Sequence, residues 1–301
     1  MKKLWFIPFI LAMSLLASCA TGADAPASET ENEKLNVSVS ILPQKYIVEQ
    51  IGGQYVEVNV LAGPGADPHT YEPKPEQMKS LARSRLYFAI GVDFEQAWLE
   101  RFEGANPEMK VVNTIEGLQL LPMTTNEQAG DTSTEENHDN EIDTHTWTSP
   151  ESVKHQAAII TQALSEVDPN HAAEYQQNYD AFLADITSLQ ADIHQTLEGI
   201  GSKKFLVFHP AWGYFAQEFG LEQVAVEVGG QEPSAQELAE IIKEAQAEDI
   251  RVVFAQPEIS TRSAEIIANE INGKVLLISP LEENWMENMR KVAQTFKDAL
   301  K

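Results

Sequence analysis

Three of the seven histidines in this 301-residue chain stand where an imidazole can do chemistry. His69 lies in Pro64-Gly65-Ala66-Asp67-Pro68-His69-Thr70-Tyr71-Glu72-Pro73, directly after a valine- and leucine-rich run. His145 lies in Asp143-Thr144-His145-Thr146-Trp147, ahead of a helical pattern. His209 closes the apolar run Phe205-Leu206-Val207-Phe208 and precedes Pro210-Ala211-Trp212. Three neutral imidazoles form a nitrogen-rich, borderline-soft donor set of the kind Zn2+ prefers. Cys19 is the only cysteine, so neither an intramolecular disulfide nor a thiolate zinc site can form. A catalytic zinc centre would use the same donors with an open fourth position. The sequence, however, has no His-Glu-x-x-His helix, no Gly-x-Ser-x-Gly elbow and no phosphate-cradling glycine loop. The expectation is a metal-binding site without catalytic machinery, not an enzyme.

Positioning these residues requires a regular scaffold, and the hydrophobic pattern supplies one. Strand-like runs fall at 35–42, 56–62, 85–91 and 110–115, then again at 203–208, 222–228, 250–256 and 274–279. Helical patterns lie at 44–52, 75–83, 94–102 and 150–166, then at 212–219, 234–247, 262–271 and 283–300. Alternation of this kind predicts right-handed βαβ crossovers and an α/β fold of two lobes, each a four-stranded parallel sheet flanked by helices. One long, rigid helix should join them. It opens at Asp168-Pro169, carries Tyr175, Tyr179, Phe182, Ile186, Leu189, Ile193 and Leu197 at helical spacing, and stops near Gly199 and Gly201. At 1.5 Å per residue such a helix spans about 45 Å, the height of a two-lobed protein. A coiled-coil dimerisation helix is the rival reading; the flanking sheets favour an intramolecular helix and a monomer. The domains are then 35–167, 168–200 and 201–301. On this plan all three histidines sit where strands give way to helices, the edge at which open α/β sheets bind ligands. Two come from the first lobe and one from the second, so they can meet across the crevice between lobes.

The N-terminus predicts export. Lys2 and Lys3 precede an apolar run from Leu4 to Ala17, too short and interrupted too early by Pro8 to be a membrane span. It ends in Leu16-Ala17-Ser18-Cys19, which matches a lipobox, so residues 1–18 read as a signal peptide and Cys19 as the acylated residue. Residues 19–34 lack aromatic and β-branched aliphatic side chains and read as a flexible tether. The expected location is the periplasm or the cell exterior, with the membrane reached through lipid on Cys19. With 21 basic against 46 acidic residues, a formal charge of −25, nucleic acid is excluded as a partner.

From residue 35 onward the chain resembles the metal-binding solute-binding lipoproteins of bacterial ABC importers, the cluster of zinc and manganese receptors. The resemblance rests on the 64–73 segment, on His145-Thr146-Trp147-Thr148-Ser149-Pro150 and on Phe208-His209-Pro210-Ala211-Trp212-Gly213-Tyr214-Phe215. Gly230-Gln231-Glu232-Pro233-Ser234 and Ser279-Pro280-Leu281 add to it. It implies metal held between two lobes and delivered to an ABC-transporter permease, with His69, His145 and His209 as the first three ligands. A carboxylate is usual at the third position in manganese receptors, so His209 points to Zn2+ as the transported substrate. A manganese or iron receptor of the same family, or a metal-dependent adhesin, is the alternative.

Two features depart from the family pattern. Ser279 stands where an aspartate usually supplies the fourth ligand. A neutral hydroxyl is a poor zinc donor, so that position is expected to hold water, or else a carboxylate from elsewhere, with Glu258, Glu282 and Glu283 on neighbouring loops. Asp67 and Glu72 are expected to orient His69. The segment 124–143, histidine-rich in many zinc receptors, is here acidic with His138 alone, and reads as a solvated, disordered loop. His155, His171 and His194 read as structural or exposed, and Trp147, Trp212 and Tyr71 as packing near the ligands.

Overall fold

The computed structural model describes Met1 and residues 34–124, 142–227, 231–259 and 261–301. The signal segment, Cys19, most of the tether and most of the acidic loop, including His138, lie outside the described residues. Lys34–Lys301 forms one compact body.

The first half contains β1 (Leu35–Ile41), α1 (Leu42–Gly52), β2 (Val56–Ala62), α2 (Pro75–Leu81), β3 (Leu86–Ala89), α3 (Asp93–Ala105), β4 (Lys110–Asn113) and α4 (Pro150–Val167). α5 (Ala172–Leu197) leads to the second half. That half contains β5 (Lys204–Val207), α6 (Gly213–Phe219), β6 (Glu222–Ala225), α7 (Ala235–Ala247), β7 (Val252–Ala255), α8 (Arg262–Glu270), β8 (Lys274–Leu277) and α9 (Trp285–Ala299). Both sheets are four-stranded and wholly parallel, ordered β2-β1-β3-β4 and β6-β5-β7-β8. The two lobes therefore repeat one topology, as the alternating pattern predicts.

Most strands end one to three residues before the apolar runs do. Ile90, Phe208 and Ile278 remain buried although they lie past the ends of β3, β5 and β8. Phe208 and Ile278 each keep one backbone bond to the neighbouring strand, to the Phe254 and Ala255 carbonyls, so the runs mark burial slightly past the regular ladder.

α5 is 26 residues long, about 39 Å at 1.5 Å per residue. Its stripe of Tyr175, Phe182, Ile186, Leu189, Ile193 and Leu197 is buried against α1 and α4 on one side and α9 on the other. Core residues of both halves thereby join one continuous cluster, while the outer face of the second sheet forms its own. The expected start at Asp168-Pro169 is displaced. Pro169–His171 forms a 3-10 turn, and the Asp168 carboxylate accepts from His171 Nδ1 (2.6 Å) and Tyr175 Oη (2.7 Å) instead of capping the helix. Lobe-to-lobe contacts are specific: Trp147 Nε1 donates to the Pro280 carbonyl at 2.8 Å, and Trp285 Nε1 to the Trp147 carbonyl at 2.7 Å.

Candidate metal centre

Each histidine is placed by a loop at the carboxyl edge of a sheet. His69 follows β2, where its backbone N–H donates to Asp67 Oδ1 at 2.9 Å and the Thr70 hydroxyl donates to Asp67 Oδ2. Asp67 thus fixes the turn that carries His69. His145 precedes the short helical turn leading to α4, and its backbone N–H donates to Asp143 Oδ1 at 2.9 Å. His209 follows β5; the backbone N–H of the preceding Phe208 donates to the Phe254 carbonyl at 2.8 Å.

The three side chains converge. One nitrogen from each imidazole lies within 4.8 Å of the others, the only grouping of three or more metal-ligating side chains among the described residues. His145 Nε2 and His209 Nε2 stand 3.2 Å apart, and the His69 ring centroid is 4.7 Å from that of His209. His145 and His209 are buried, and His69 is partly open to a cavity of about 280 Å³ lined also by Asp93, Met123, Ile142, Thr144 and Ile259.

Every Nδ1 meets a carboxylate. His69 Nδ1 is 2.7 Å from Asp93 Oδ2, His145 Nδ1 is 2.8 Å from Asp143 Oδ1, and His209 Nδ1 is 2.6 Å from Glu227 Oε2. A carboxylate at Nδ1 selects the tautomer with the proton there and leaves the Nε2 lone pair facing inward. Three inward lone pairs brought this close form a donor set that a cation could bridge.

Burial and charge split the imidazoles. Burial pushes His145 below the usual histidine range despite its bond to Asp143. Burial also acts to lower His69, but the hydrogen bond and charge of Asp93, with Asp67 and Glu227 nearby, outweigh it and hold His69 above that range. Asp93 is correspondingly depressed, chiefly by its hydrogen bond to His69. The turn before Asp93 is tied down by Glu95, whose carboxylate accepts the backbone N–H groups of Ile90 (3.0 Å) and Gly91 (2.8 Å). Burial lifts Glu95 to about 7, against those donated bonds.

The orienting group at His69 Nδ1 differs from the expectation. Asp67 serves the backbone and not the ring, Glu72 is exposed, and Asp93 takes the ring nitrogen. Asp93 and Glu227 carried no signal near their histidines in sequence, because parallel-sheet pairing brings them in from 24 and 18 residues away. The available clue was a carboxylate just past the carboxyl end of another strand of the same sheet, β6 for Glu227 and β3 for Asp93. Ser279 is buried and donates to Glu258 Oε1 at 2.5 Å. Glu282 is exposed, and Glu283 pairs with Lys45 across the lobes. His155 Nε2 binds the Glu116 carbonyl, His171 pairs with Asp168, and His194 packs on Phe219, all apart from the cluster. Trp147 packs 5.2 Å from the His145 ring, whereas Trp212 belongs to the core with Phe215 and Phe296, and Tyr71 packs on Phe94.

This architecture has known counterparts. A solved structure described as the crystal structure of ZnuA superposes with a TM-score of 0.82 at 41% identity, covering 89% of this chain and 100% of that one. The high-affinity zinc uptake system protein ZnuA of Bacillus subtilis is 26% identical over 288 residues, 94% of this chain and 90% of that protein. The manganese-binding lipoprotein MntA of Halalkalibacterium halodurans is 25% identical over 317 residues, 100% of this chain and 99% of that protein. Residues 37–299 match the family model described as ZnuA, zinc-uptake complex component A, periplasmic. The chain belongs to that family of metal-binding solute receptors for ABC importers, which are not enzymes.

Proposed function

We propose that this chain captures Zn2+ on the Nε2 atoms of His69, His145 and His209 and delivers it to the membrane permease of an ABC importer. The observation that carries the reading is the convergence of three imidazoles, one nitrogen each within 4.8 Å, with a carboxylate on every Nδ1. An all-imidazole set favours zinc over manganese, which prefers oxygen donors. The depth of His145 and His209 keeps water from competing, and the opening beside His69 gives the ion a route in and out. Cargo is held by groups from both lobes, so binding and release are coupled to how the lobes meet. A flexible tether lipidated at Cys19 would keep the receptor near its permease.

The test is metal content with competitive titration of Zn2+ against Mn2+. One zinc per chain, retained in the presence of excess manganese, is expected. Equal affinities, or manganese recovered after exposure to both ions, would leave a manganese receptor as the better reading, in line with the manganese-binding relative.

A further inference from the structure

Glu258 is half-buried on the loop after β7, the strand between β5, which precedes His209, and β8, which precedes Ser279. Its Oε1 accepts the Ser279 hydroxyl at 2.5 Å. Its Oε2 is fully shielded from solvent yet has no hydrogen-bond partner. A buried carboxylate oxygen without a donor costs free energy unless water or a cation satisfies it. Its surroundings identify which. The next residue, Ile259, lines the same cavity as His69 and His209. On the other side, Ser279 adjoins Pro280, whose carbonyl holds the indole of Trp147, and that indole packs on the His145 ring. Glu258 is thus linked to the histidine cluster by Ile259 on one side and by Ser279, Pro280 and Trp147 on the other. Ser279 has no carboxylate of its own to offer, and its hydroxyl instead holds one from the loop after the adjacent strand.

We propose that Glu258 supplies the fourth donor to the metal through Oε2, with Ser279 as the residue that positions it. The assignment rests on the three histidines being the metal site. It replaces water at the fourth position with a carboxylate and gives the bound ion a tetrahedral set of three nitrogens and one oxygen, a closed arrangement. The Glu258 carboxylate stands outside the 4.8 Å histidine cluster, so its side chain must swing inward when the ion arrives. The Ser279 hydroxyl and the Leu281 N–H, which donates to Ser279 Oγ at 3.0 Å, form the pivot. The second lobe would then contribute two ligands, His209 and Glu258, matching the two from the first.

The experiment compares wild type, Glu258→Gln, Ser279→Ala, the double variant and His145→Ala in the full chain, using Zn2+ alone as the probe. Zinc affinity is read by chelator competition, zinc-free melting temperature by calorimetry, and coordination from zinc-bound crystals. The expected results are Glu258 oxygen about 2.0–2.2 Å from zinc and an affinity loss of at least about tenfold in Glu258→Gln, the range known for lesser, outer groups. The zinc-free melting temperature of that variant should be unchanged or higher, since an orphaned charge is removed. Ser279→Ala should cost less, and the double variant no more than Glu258→Gln alone. A neutral effect of Glu258→Gln on affinity with His145→Ala still damaging, or water in the crystal at the fourth position, would overturn the assignment while leaving the histidine site standing. A lower zinc-free melting temperature with unchanged affinity would likewise reduce Glu258 to a structural role. Full affinity in His145→Ala would remove the site itself and the proposal with it.

Discussion

Gly213, at the start of α6 in the second lobe, lies so close to Asp143 of the first that a Cβ there would stand 2.6 Å from Asp143 Oδ2. That oxygen is buried and without a hydrogen-bond partner, while Oδ1 holds both the backbone and the ring of His145. The glycine leaves room for the carboxylate that aims a first-lobe histidine at a second-lobe histidine.

Gly213→Ala should therefore act on metal binding through Asp143. Displacing the carboxylate should weaken zinc by about tenfold, the lower end of what loss of an outer carboxylate costs. Overpacking should also lower stability by about 1–3 kcal/mol. Chelator competition and calorimetry measure the two effects. Unchanged affinity with lowered stability would show that Asp143 can move without disturbing His145.

The ligand histidines should separate cleanly from the other three described histidines. His69→Ala, His145→Ala and His209→Ala are each expected to abolish most of the zinc-induced rise in melting temperature. For an intact site that rise corresponds to about 4 kcal/mol at a thousandfold excess over Kd. His155→Ala and His194→Ala should keep the full rise, because their partners are the Glu116 carbonyl and the Phe219 ring. Any of the first three retaining the full shift would leave the ligand set.

The carboxylates behind the rings should follow a graded order. Asp143→Asn and Glu227→Gln remove partners that are almost wholly buried, with side-chain exposures of 1% and 9%, whereas the Asp93 side chain is 50% exposed. Losses of about 10- to 100-fold in affinity are expected for the first two. Asp93→Asn should cost less, because solvent screens the partner it removes. Equal effects at all three positions would contradict the role assigned to burial.

How far this site was legible in sequence depends on how far apart its parts lie. His69, His145 and His209 each sit in a compact loop motif after or before a recognisable element, so type and position could be read together. Asp143, two residues before His145, was within the same motif. Asp93 and Glu227 reach their histidines only because β1 alone separates β2 from β3 and because β6 lies next to β5. The Glu227 N–H donates to the Phe208 carbonyl at 3.0 Å, a register that no periodicity in either strand encodes. The strand order is set by packing of whole layers, so residues that depend on it stay hidden until the sheet is assembled. The long helix was visible from its stripe, but its first turn was not, because Asp168 found side-chain partners in His171 and Tyr175.

Acid should weaken zinc binding in an order set by the two shifted imidazoles. His69 is held above the usual value near 6.5, so protons compete for it first as pH falls, and affinity should already decline before pH 6.5 is reached. His145, depressed by burial, resists protonation longest. Without metal the signs oppose each other. The raised His69 adds stability below its unfolded value that is lost as pH rises through its folded one. The lowered His145 adds stability above about 6.5 that is lost as pH falls through its folded value. Asp93→Asn should flatten the zinc-affinity profile between about pH 6 and 7, since it removes the group that raises His69. A profile flat in wild type from about pH 7.5 to 5.5 would point to carboxylate ligands in place of imidazoles.

The acidic segment should prove dispensable for tight binding. Its ends are pinned together: Pro122 and Ile142 form an antiparallel bridge, and the Asp143 N–H donates to the Leu121 carbonyl at 2.9 Å. Tyr214 of α6 clasps the same junction, accepting the Leu121 N–H at 3.0 Å and donating to the Asp143 carbonyl at 2.8 Å. Asp143 and His145 are thus fixed by groups outside residues 126–141. Excising that stretch with a short glycine closure should leave zinc affinity within about threefold, under 1 kcal/mol. The stretch brings one histidine, His138, and six acids, Glu127, Asp131, Glu135, Glu136, Asp139 and Glu141. Scattered carboxylates contribute long-range attraction that salt screens, so any effect should fall on capture rate at low ionic strength. Stopped-flow capture at low and high salt, beside equilibrium competition, separates the two. Loss of the tight site on excision would place His138 or a carboxylate of that segment among the ligands.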